Sequence, residues 1–461
     1  MSTNRANLMH FSGGRCGSKK LKLLAVMAGL IIVLNPGPAA QAALNAVDPG
    51  PYTAATGFFP LWYQDTNGVP LELCLTQTPS PAPGLPAGSI MCTLIAGPGF
   101  DPALPLSFPG NFPDEAFWFT ADGRVRGTGF DVDITIALEA AFGLGAVAAG
   151  DQVSFARIRL RGTVDNTGVY TFTHPYGVEV LDIADVGSKA INYTRDIGIG
   201  AAGIFTGALA GDIGPFLIRT DAQGNPSPIV IGAETYLGDP NVTQTVTGSP
   251  FGTNYFRIQG PGGIDTTDNL FNISGKVYKG AALPTPFVVD RTSYSVGALG
   301  TQMDVFATAP ATAGLAFTDA STIPLLFTMG GDGQGRFFGQ APVPPSVLGP
   351  VNLTANNTPY NLASIPANTA GTKASPVTDL VFVTKAEYSS AAQTLVIQAS
   401  SSDEPGPITL NATGFGVLAV DPLLPAPAMQ ITVTGVAVPP AAITVTSSAG
   451  GSDTEEIIIL P

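Results

Sequence analysis

The stretch "FDVDITIALEAAF", residues 130–142, decides the fold class of this chain. Its alanine, leucine and glutamate content suits a helix, but its apolar residues recur with a period of two, which is the period of a half-buried strand. The apolar face would carry Val132, Ile134, Ile136 and Leu138, and the acidic face Asp131, Asp133 and Glu139. We therefore predict a β-strand over these residues.

A second stretch, "FARIRLRG" at residues 155–162, alternates in the same way. The apolar side would carry Ile158 and Leu160, and the basic side Arg157, Arg159 and Arg161. Complementary charges on facing strands predict an antiparallel pair, with Asp131 or Asp133 close to Arg159 or Arg161. The arginines then form a solvated strand face. The alternative is a site for an anion or a polysaccharide.

The composition extends the strand pattern to the rest of the chain. Hydrophobic residues reach 45%, charged residues are 12%, and there are 55 glycines and 41 prolines. Apolar and β-branched runs between Gly/Pro breaks are typical of short strands joined by turns. Two Asx-Gly pairs predict hairpin turns, at Asn67-Gly68 and at Asp122-Gly123.

These patterns predict an all-β protein with a large N-terminal β-sandwich domain followed by tandem Ig-like β-sandwich modules. The large β-domain would span 43–283 and end at the linker "KGAALPTP". A β-sandwich module at 284–375 and an Ig-like β-sandwich module at 376–461 would follow. The last segment holds seven strand candidates at regular spacing, which is the pattern of an Ig-like sandwich, although the Cys…Trp…Cys signature is missing.

The first 42 residues read as a secretory signal peptide. A basic segment precedes the 12-residue apolar run "LLAVMAGLIIVL", and Ala40-Gln41-Ala42 fits a cleavage site before Ala43. A membrane-spanning helix needs about 20 residues, so we expect cleavage, no transmembrane anchor and a secreted, extracellular or cell-surface location. The mature chain would carry 15 basic and 34 acidic residues, a balance that argues against nucleic acid as a partner.

Cysteine usage agrees with export. Of three cysteines, Cys16 lies in the predicted leader, which leaves Cys74 and Cys92. Two cysteines in an oxidising compartment predict one disulfide across a Pro-rich loop. The alternative, a metal site, would need more ligands than two thiols and one distant histidine.

The chain offers few residues that could act in catalysis. His174 is the one histidine outside the leader, and Pro175 follows it at a predicted strand end, so we expect a structural role and no catalytic residue. Glycoside hydrolysis needs two carboxylates and no histidine. The carboxylates considered for it are Glu115, Asp131, Asp133 and Glu179, all compatible with exposed strand positions. Both tryptophans, Trp62 and Trp118, lie in apolar stretches that favour core packing.

Calcium is the one cofactor that the sequence suggests. The segment "IDTTDN" places Asp265, Asp268 and Asn269 close together, and oxygen ligands on a loop suit Ca²⁺. Acidic loops are more often merely solvated, so the segment is a weak calcium candidate. No other cofactor is expected.

The layout resembles bacterial secreted surface proteins that carry a large β-domain and C-terminal Ig-like or fibronectin-like modules. The resemblance rests on the leader, the domain order and patterns such as "ITVTSSAGGSDTEEIIIL" at 443–460. It implies a non-enzymatic surface or matrix protein that acts in adhesion or structure, with a glycan or protein partner or self-association. A carbohydrate-binding or carbohydrate-cleaving protein and a calcium-dependent adhesin are the alternatives.

Overall fold

A computed structural model describes residues 43–98, 100–297, 300–343, 348–403, 408–421 and 428–461. The predicted signal peptide lies outside these residues. Within them the chain is all-β, with four short 3-10 turns at Ala54–Thr56, Thr206–Ala210, Pro261–Gly263 and Pro359–Asn361. No helix in this part of the chain has the length and hydropathy to cross a bilayer.

The large domain contains eighteen strands in the described residues. They are β1 (Leu44–Val47), β2 (Trp62–Asp65), β3 (Pro70–Glu72), β4 (Leu94–Ile95), β5 (Glu115–Gly127), β6 (Phe130–Phe142), β7 (Gln152–Val164), β8 (Gly168–His174), β9 (Gly177–Ile183), β10 (Gly187–Ile197), β11 (Ile218–Arg219), β12 (Ile229–Ile231), β13 (Glu234–Tyr236), β14 (Gln244–Thr247), β15 (Phe256–Gly260), β16 (Ile264–Asp268), β17 (Leu270–Ser274) and β18 (Lys276–Val277).

Each of the two following modules contributes nine described strands. The middle module has β19 (Val288–Gly297), β20 (Gly300–Thr308), β21 (Gly314–Thr318), β22 (Leu326–Thr328), β23 (Gly330–Gly331), β24 (Arg336–Pro342), β25 (Val351–Asn356), β26 (Gly371–Ser375) and β27 (Thr378–Asp379). The C-terminal module has β28 (Val381–Ser389), β29 (Thr394–Ser401), β30 (Leu410–Ala412), β31 (Gly416–Val417), β32 (Ala419–Val420), β33 (Met429–Thr434), β34 (Ala442–Ser447), β35 (Ser452–Glu456) and β36 (Ile458–Leu460).

Three sheets form the large domain. An eight-stranded sheet has the order β10-β7-β6-β5-β17-β14-β11, with β4 added beside β5. A four-stranded sheet runs β16-β15-β8-β9, and a six-stranded sheet runs β1-β2-β3-β18-β13-β12. One buried cluster draws side chains from all three sheets, among them Trp118, Phe172 and Leu71. The other face of the eight-stranded sheet is polar, because residues alternate along each strand.

The strand predicted at 130–142 is confirmed, and so is its partner. β6 pairs antiparallel with β7, and Asp133 lies directly opposite Arg161. The predicted hairpin turn at Asp122-Gly123 is wrong, because β5 continues through these residues and the hairpin closes at Gly127 opposite Phe130. Gly123 serves packing instead: a Cβ there would lie 2.9 Å from the Phe271 ring.

The turn at Asn67-Gly68 is confirmed. β2 and β3 pair antiparallel on either side of it, and Asp65 N donates to Val69 O at 3.1 Å. Gly68 adopts a φ of +83°, a conformation that favours glycine. Of the two tryptophans, Trp118 is fully buried and donates its indole N–H to Pro60 O, whereas Trp62 is half-buried beside Tyr278.

The middle module and the C-terminal module each consist of a five-stranded and a four-stranded sheet around their own buried cluster. The last strand of the middle module, β27, lies beyond the predicted boundary at 375/376 and pairs parallel with β19. The terminal run "EEIIIL" divides between the two sheets. Glu455 and Glu456 end β35, and Ile458–Leu460 forms β36 beside β28.

Candidate functional site

The polar face of the eight-stranded sheet contains a depression of about 720 Å³. We call it the arginine-lined depression. Its walls and floor come from five neighbouring strands and the loop before β14. The lining residues are Asp122, Gly123, Arg124, Arg126, Asp133, Ile134, Thr135, Arg159, Arg161, Thr243, Asp268, Leu270 and Asn272.

The alternation of each strand explains why charged residues gather there. On β6, Val132 and Ile134 turn to the core, while Asp133 and Thr135 turn outward. The register then sets Thr135 opposite Arg159 and also opposite Asp122 on the other side. Because every second residue of three paired strands points out of the same face, charges far apart in sequence lie close together.

The two acidic residues expected to pair with the β7 arginines pair with β5 instead. Arg124 binds both carboxylate oxygens of Asp131, with Nε to Oδ1 at 2.7 Å, and its Nε lies 3.5 Å from Asp133 Oδ1. Asp133 lies opposite Arg161 in the β6–β7 pair, as predicted, but its ion pair forms with Arg124 of β5, on the other side of β6.

Of the β7 arginines, Arg157 pairs with Glu139 and Asp196, whereas Arg159 and Arg161 lack a carboxylate partner in the described part of the chain. Arg161 donates to Tyr193 O at 2.7 Å, to Leu160 O and to Thr194 Oγ1, all of them neutral acceptors. Partial burial and the charges of Arg159 and Arg157 lower the pKa of Arg161. Within the described residues, no carboxylate lies within ion-pair distance of Arg159 or Arg161.

Asp122 of β5 lines the same depression, opposite Thr135. Burial raises the pKa of Asp122 to about 6, against a hydrogen bond from Thr135 and the charge of Arg159, which lower it. A carboxyl with this pKa gives up part of its negative charge in mildly acidic solution. The depression therefore becomes more positive as the pH falls below neutrality.

The sequence places Glu139 on the acidic face with Asp131 and Asp133, but the structure buries it. Its side chain is 2% exposed and lies against Arg157, whose Nη1 donates to both carboxylate oxygens at 3.1 Å. Burial and the neighbouring Glu115 raise the pKa of Glu139 to about 8. A glycosidase uses two carboxyl groups, as Glu115 and Glu139 would provide, but a substrate has no access to a side chain as buried as that of Glu139.

His174 ends β8 with its ring fully buried in the core, where Nδ1 accepts a hydrogen bond from Tyr176 N. Its Nε2 lies 3.8 Å from Glu179 Oε1. Glu179 also accepts hydrogen bonds from Tyr193 and Arg195, at 2.7 and 2.8 Å, so it is not the exposed carboxylate expected from its sequence position. Burial tends to raise the pKa of Glu179, but the nearby His174 and the hydrogen bonds from Tyr193 and Arg195 outweigh it and bring the pKa to about 2.

The low pKa of Glu179 predicts that the folded protein loses stability in acid. A carboxyl whose pKa is lower in the folded chain contributes stability above its unfolded pKa, and that stability is lost as the pH falls through the folded pKa. Between pH 5 and pH 2, the unfolding free energy of Glu179→Gln should therefore fall by about 2 kcal/mol less than that of wild type. Urea unfolding across this range measures it, with exposed Asp182→Asn on the same strand as control. Equal pH slopes for wild type and Glu179→Gln would contradict the prediction.

The weak calcium candidates lie at the edge of the four-stranded sheet. Asp265 and Asp268 belong to β16, and Asn269 follows it. Asp265 makes two hydrogen bonds to Arg257, at 2.7 and 2.6 Å, and Asp268 accepts from Leu270 N while lining the arginine-lined depression. Throughout the described ranges, no three His, Cys, Asp or Glu side chains come together as a metal site.

The predicted disulfide between Cys74 and Cys92 is confirmed. The two sulfur atoms are bonded, and both residues are buried against Met91 and Tyr236. The bond ties the start of the Pro-rich loop to its end, below the six-stranded sheet.

No protein-family model and no curated protein matches this chain. Among solved structures, it is similar to a 1.5-MDa bacterial ice-binding adhesin studied for host cell surface retention, with 11% identity, 67% of this chain and 91% of that chain covered and a TM-score of 0.17. It is similar to the Ig1-2 module of the Drosophila receptor protein tyrosine phosphatase DLAR (11% identity, 39% and 100% covered, TM-score 0.16) and to the BSP domain of a biofilm-associated protein (10%, 67% and 63%, 0.15). TM-scores this low carry no argument about function.

Proposed function

We propose that this protein is an exported, non-enzymatic component of the cell surface or extracellular matrix, whose large domain binds an acidic polysaccharide. The observation that carries the proposal is the arginine-lined depression, in which Arg159 and Arg161 lie side by side without a carboxylate partner. An anionic group bound between them would offset the repulsion between the two guanidinium groups, which adds to partial burial in lowering the pKa of Arg161.

The remaining lining supports a sugar more than a bare anion. Thr135, Thr243 and Asn272 supply hydroxyl and amide groups beside the arginines, and these can bond to sugar hydroxyls. A guanidinium binds a carboxylate through two parallel hydrogen bonds, which gives geometric selectivity for uronic acids. Because the chain as a whole is acidic, a polyanion would be attracted at the arginines of this depression more than at the rest of the surface.

The junctions between domains suit a protein that holds a binding domain in place. The loop after β25 reaches back to the large domain, where Ile365 is buried in the main cluster. Asn357 and Asn368 donate to Asn67 O and Gly68 O, both at 2.9 Å. Gln64 donates to Pro284 O at the linker itself. Contacts of this kind resist movement at the junction.

The test is binding of residues 43–461 to polygalacturonate, with uncharged dextran beside it. Replacing Arg159 and Arg161 with alanine should weaken polygalacturonate binding at least tenfold, because each charge-assisted hydrogen bond contributes about 1.5–3 kcal/mol. Arg336→Ala is the matched control, since Arg336 is 81% exposed and lies in the middle module. Both variants should keep the wild-type melting temperature within a few degrees.

Three outcomes would change the proposal. Equal binding by wild type and the double variant would remove the depression as the site. Chain cleavage of polygalacturonate would favour the enzyme alternative. Binding lost on addition of a calcium chelator would favour the calcium-dependent adhesin.

A further inference from the structure

The charges that line the arginine-lined depression are divided between its two ends. At the β7 end, Arg159 and Arg161 have no carboxylate partner among the described residues. Toward β17, Asp122 of β5 and Asp268, the last residue of β16, bring negative charge into the lining. The depression is therefore bipolar, with a positive end at β7 and a negative end beside β17.

The charges between these two ends cancel. Arg124 binds both carboxylate oxygens of Asp131, and its Nε lies 3.5 Å from Asp133 Oδ1. Arg126 stands opposite Asp131 in the register of β5 and β6. These two arginines and two aspartates sum to no net charge, so they do not mask the contrast between the ends of the depression.

One row of residues across the sheet joins the two ends. In the paired registers, Arg159 lies opposite Thr135, Thr135 opposite Asp122, and Asp122 opposite Asn272. Neighbouring strands lie about 4.8 Å apart, so this row of four residues is about 14 Å long. The row is longer than one sugar ring. A polysaccharide lying along it therefore places different sugars at Arg159 and at Asp122.

The hydrogen-bonding groups differ between the ends in the same way as the charges. The guanidinium groups of Arg159 and Arg161 only donate, which suits a carboxylate. The carboxylate groups of Asp122 and Asp268 only accept, and Asn272, which donates its amide N–H to Pro240 O at 3.1 Å, keeps its carbonyl oxygen as an acceptor. Sugar hydroxyls can donate to such acceptors, whereas an ionised sugar carboxylate cannot.

We infer that the depression selects an acidic polysaccharide in which a uronic acid is followed by an uncharged sugar, with the uronate at Arg159 and Arg161 and the uncharged sugar over Asp122 and Asn272. This inference rests on the proposed function and names the ligand class of the same site. A chain with a carboxylate on every sugar would bring like charge against Asp122 and Asp268, where the lining displaces part of the screening water. Asp122 is then the specificity-determining residue.

Calorimetry on residues 43–461 at pH 7 tests the inference with two probes of the same sugar. One is tetragalacturonate, and the other is the same tetramer with methyl esters on two of its four carboxyl groups. Wild type should bind the half-esterified tetramer about tenfold more tightly, because its neutral sugars avoid the repulsion at the negative end. Attraction to the arginines alone would give the opposite order, since the unesterified tetramer carries more negative charge.

Asp122→Asn should remove the preference. The substitution keeps the size of the side chain and removes its charge, so tetragalacturonate should bind about tenfold more tightly than it does to wild type. The affinity for the half-esterified tetramer should change little. Asp182→Asn on β9 is the matched control, because Asp182 is exposed, lies outside the depression and gives the same change in net charge. It should leave both affinities at the wild-type values.

Acidification gives a second measurement that needs no substitution. Burial raises the pKa of Asp122 to about 6, so lowering the pH from 7 to 5 neutralises its carboxyl. The charged groups that face Asp122 are Arg159 on β7, Asp133 on β6, Arg124 on β5 and Asp268 on β16. Wild type should gain affinity for tetragalacturonate over this range, whereas Asp122→Asn should gain less.

The outcomes separate this inference from the proposed function. Equal affinities of wild type for the two tetramers, or tighter binding of the unesterified one, would overturn the inference, and so would an Asp122→Asn variant with wild-type affinities. If the Arg159 and Arg161 double variant still lost both tetramers in that case, the proposed function would stand without the selectivity. Wild type that binds neither tetramer nor polygalacturonate would overturn both.

Discussion

Asp65→Asn is expected to lower the free energy of unfolding by about 3 kcal/mol, although it changes only one oxygen to an NH₂ group. Asp65 is fully buried, and its carboxylate accepts hydrogen bonds from three backbone N–H groups: Asn67 N at 3.0 Å, Val69 N at 2.8 Å and Phe216 N at 2.8 Å. An amide offers one acceptor oxygen, so its NH₂ group would face a backbone donor with nothing between them.

The effect should extend to the junction with the middle module. The turn that Asp65 organises presents Asn67 O and Gly68 O to Asn357 and Asn368. Burial raises the pKa of Asp65 to about 7, against the backbone N–H groups, which lower it. The hydroxyl oxygen of a neutral carboxyl can still accept a hydrogen bond, whereas the amide nitrogen cannot.

Urea unfolding at neutral pH measures the loss, with Asp221→Asn as the matched control. Asp221 also accepts backbone hydrogen bonds within a turn, from Gln223 N and Asn225 N, but in an exposed loop where water can replace a lost partner. Its substitution should cost less than about 1 kcal/mol. If the two variants lose the same stability, burial of Asp65 is not the source of its contribution.

Local alternation predicted the fold class, because a strand with one buried face records that face in every second residue. This is why β6, β7 and their antiparallel pairing could be predicted from the sequence. The prediction of a turn at Asp122-Gly123 failed, because Gly123 is required by the distant Phe271 ring and not by the local backbone. A glycine needed for packing and a glycine needed for a turn look the same in sequence.

The candidate site was predicted less well than the strands. The arginines of β7 stood out, but their partners depended on which strand lay on each side of β6, and Arg124 took both nearby aspartates. Glu139 has the same alternating position as Asp133, yet it is buried because Arg157 reaches over it. Burial of a charge is decided by the neighbouring strand's side chains, which alternation alone does not reveal.

The Pro-rich loop between the cysteines folds back on itself. Met91 N donates to Thr78 O and Ser80 N donates to Ser89 O, both at 2.9 Å, and Thr78 Oγ1 bonds to Glu234. The loop therefore has some order of its own, and the disulfide is not its sole constraint.

Replacing Cys74 and Cys92 together with alanine should lower the unfolding free energy by about 3 kcal/mol. The disulfide removes chain entropy from the unfolded state, and its sulfur atoms also fill a buried site beside Met91 and Tyr236. Alanine keeps the site apolar, so no buried hydroxyl is introduced. Urea unfolding of the double variant and of wild type, both without reductant, measures the difference.

The burial of the disulfide allows a second test of its contribution. Because Cys74 and Cys92 are almost inaccessible, a reductant should leave the folded wild type unchanged and should lower its stability to that of the double variant only after unfolding. Mass spectrometry without reduction should find the two cysteine peptides linked in secreted protein. Two free thiols in that material, or a double variant as stable as wild type, would mean that the hydrogen bonds of the loop alone hold it against the six-stranded sheet.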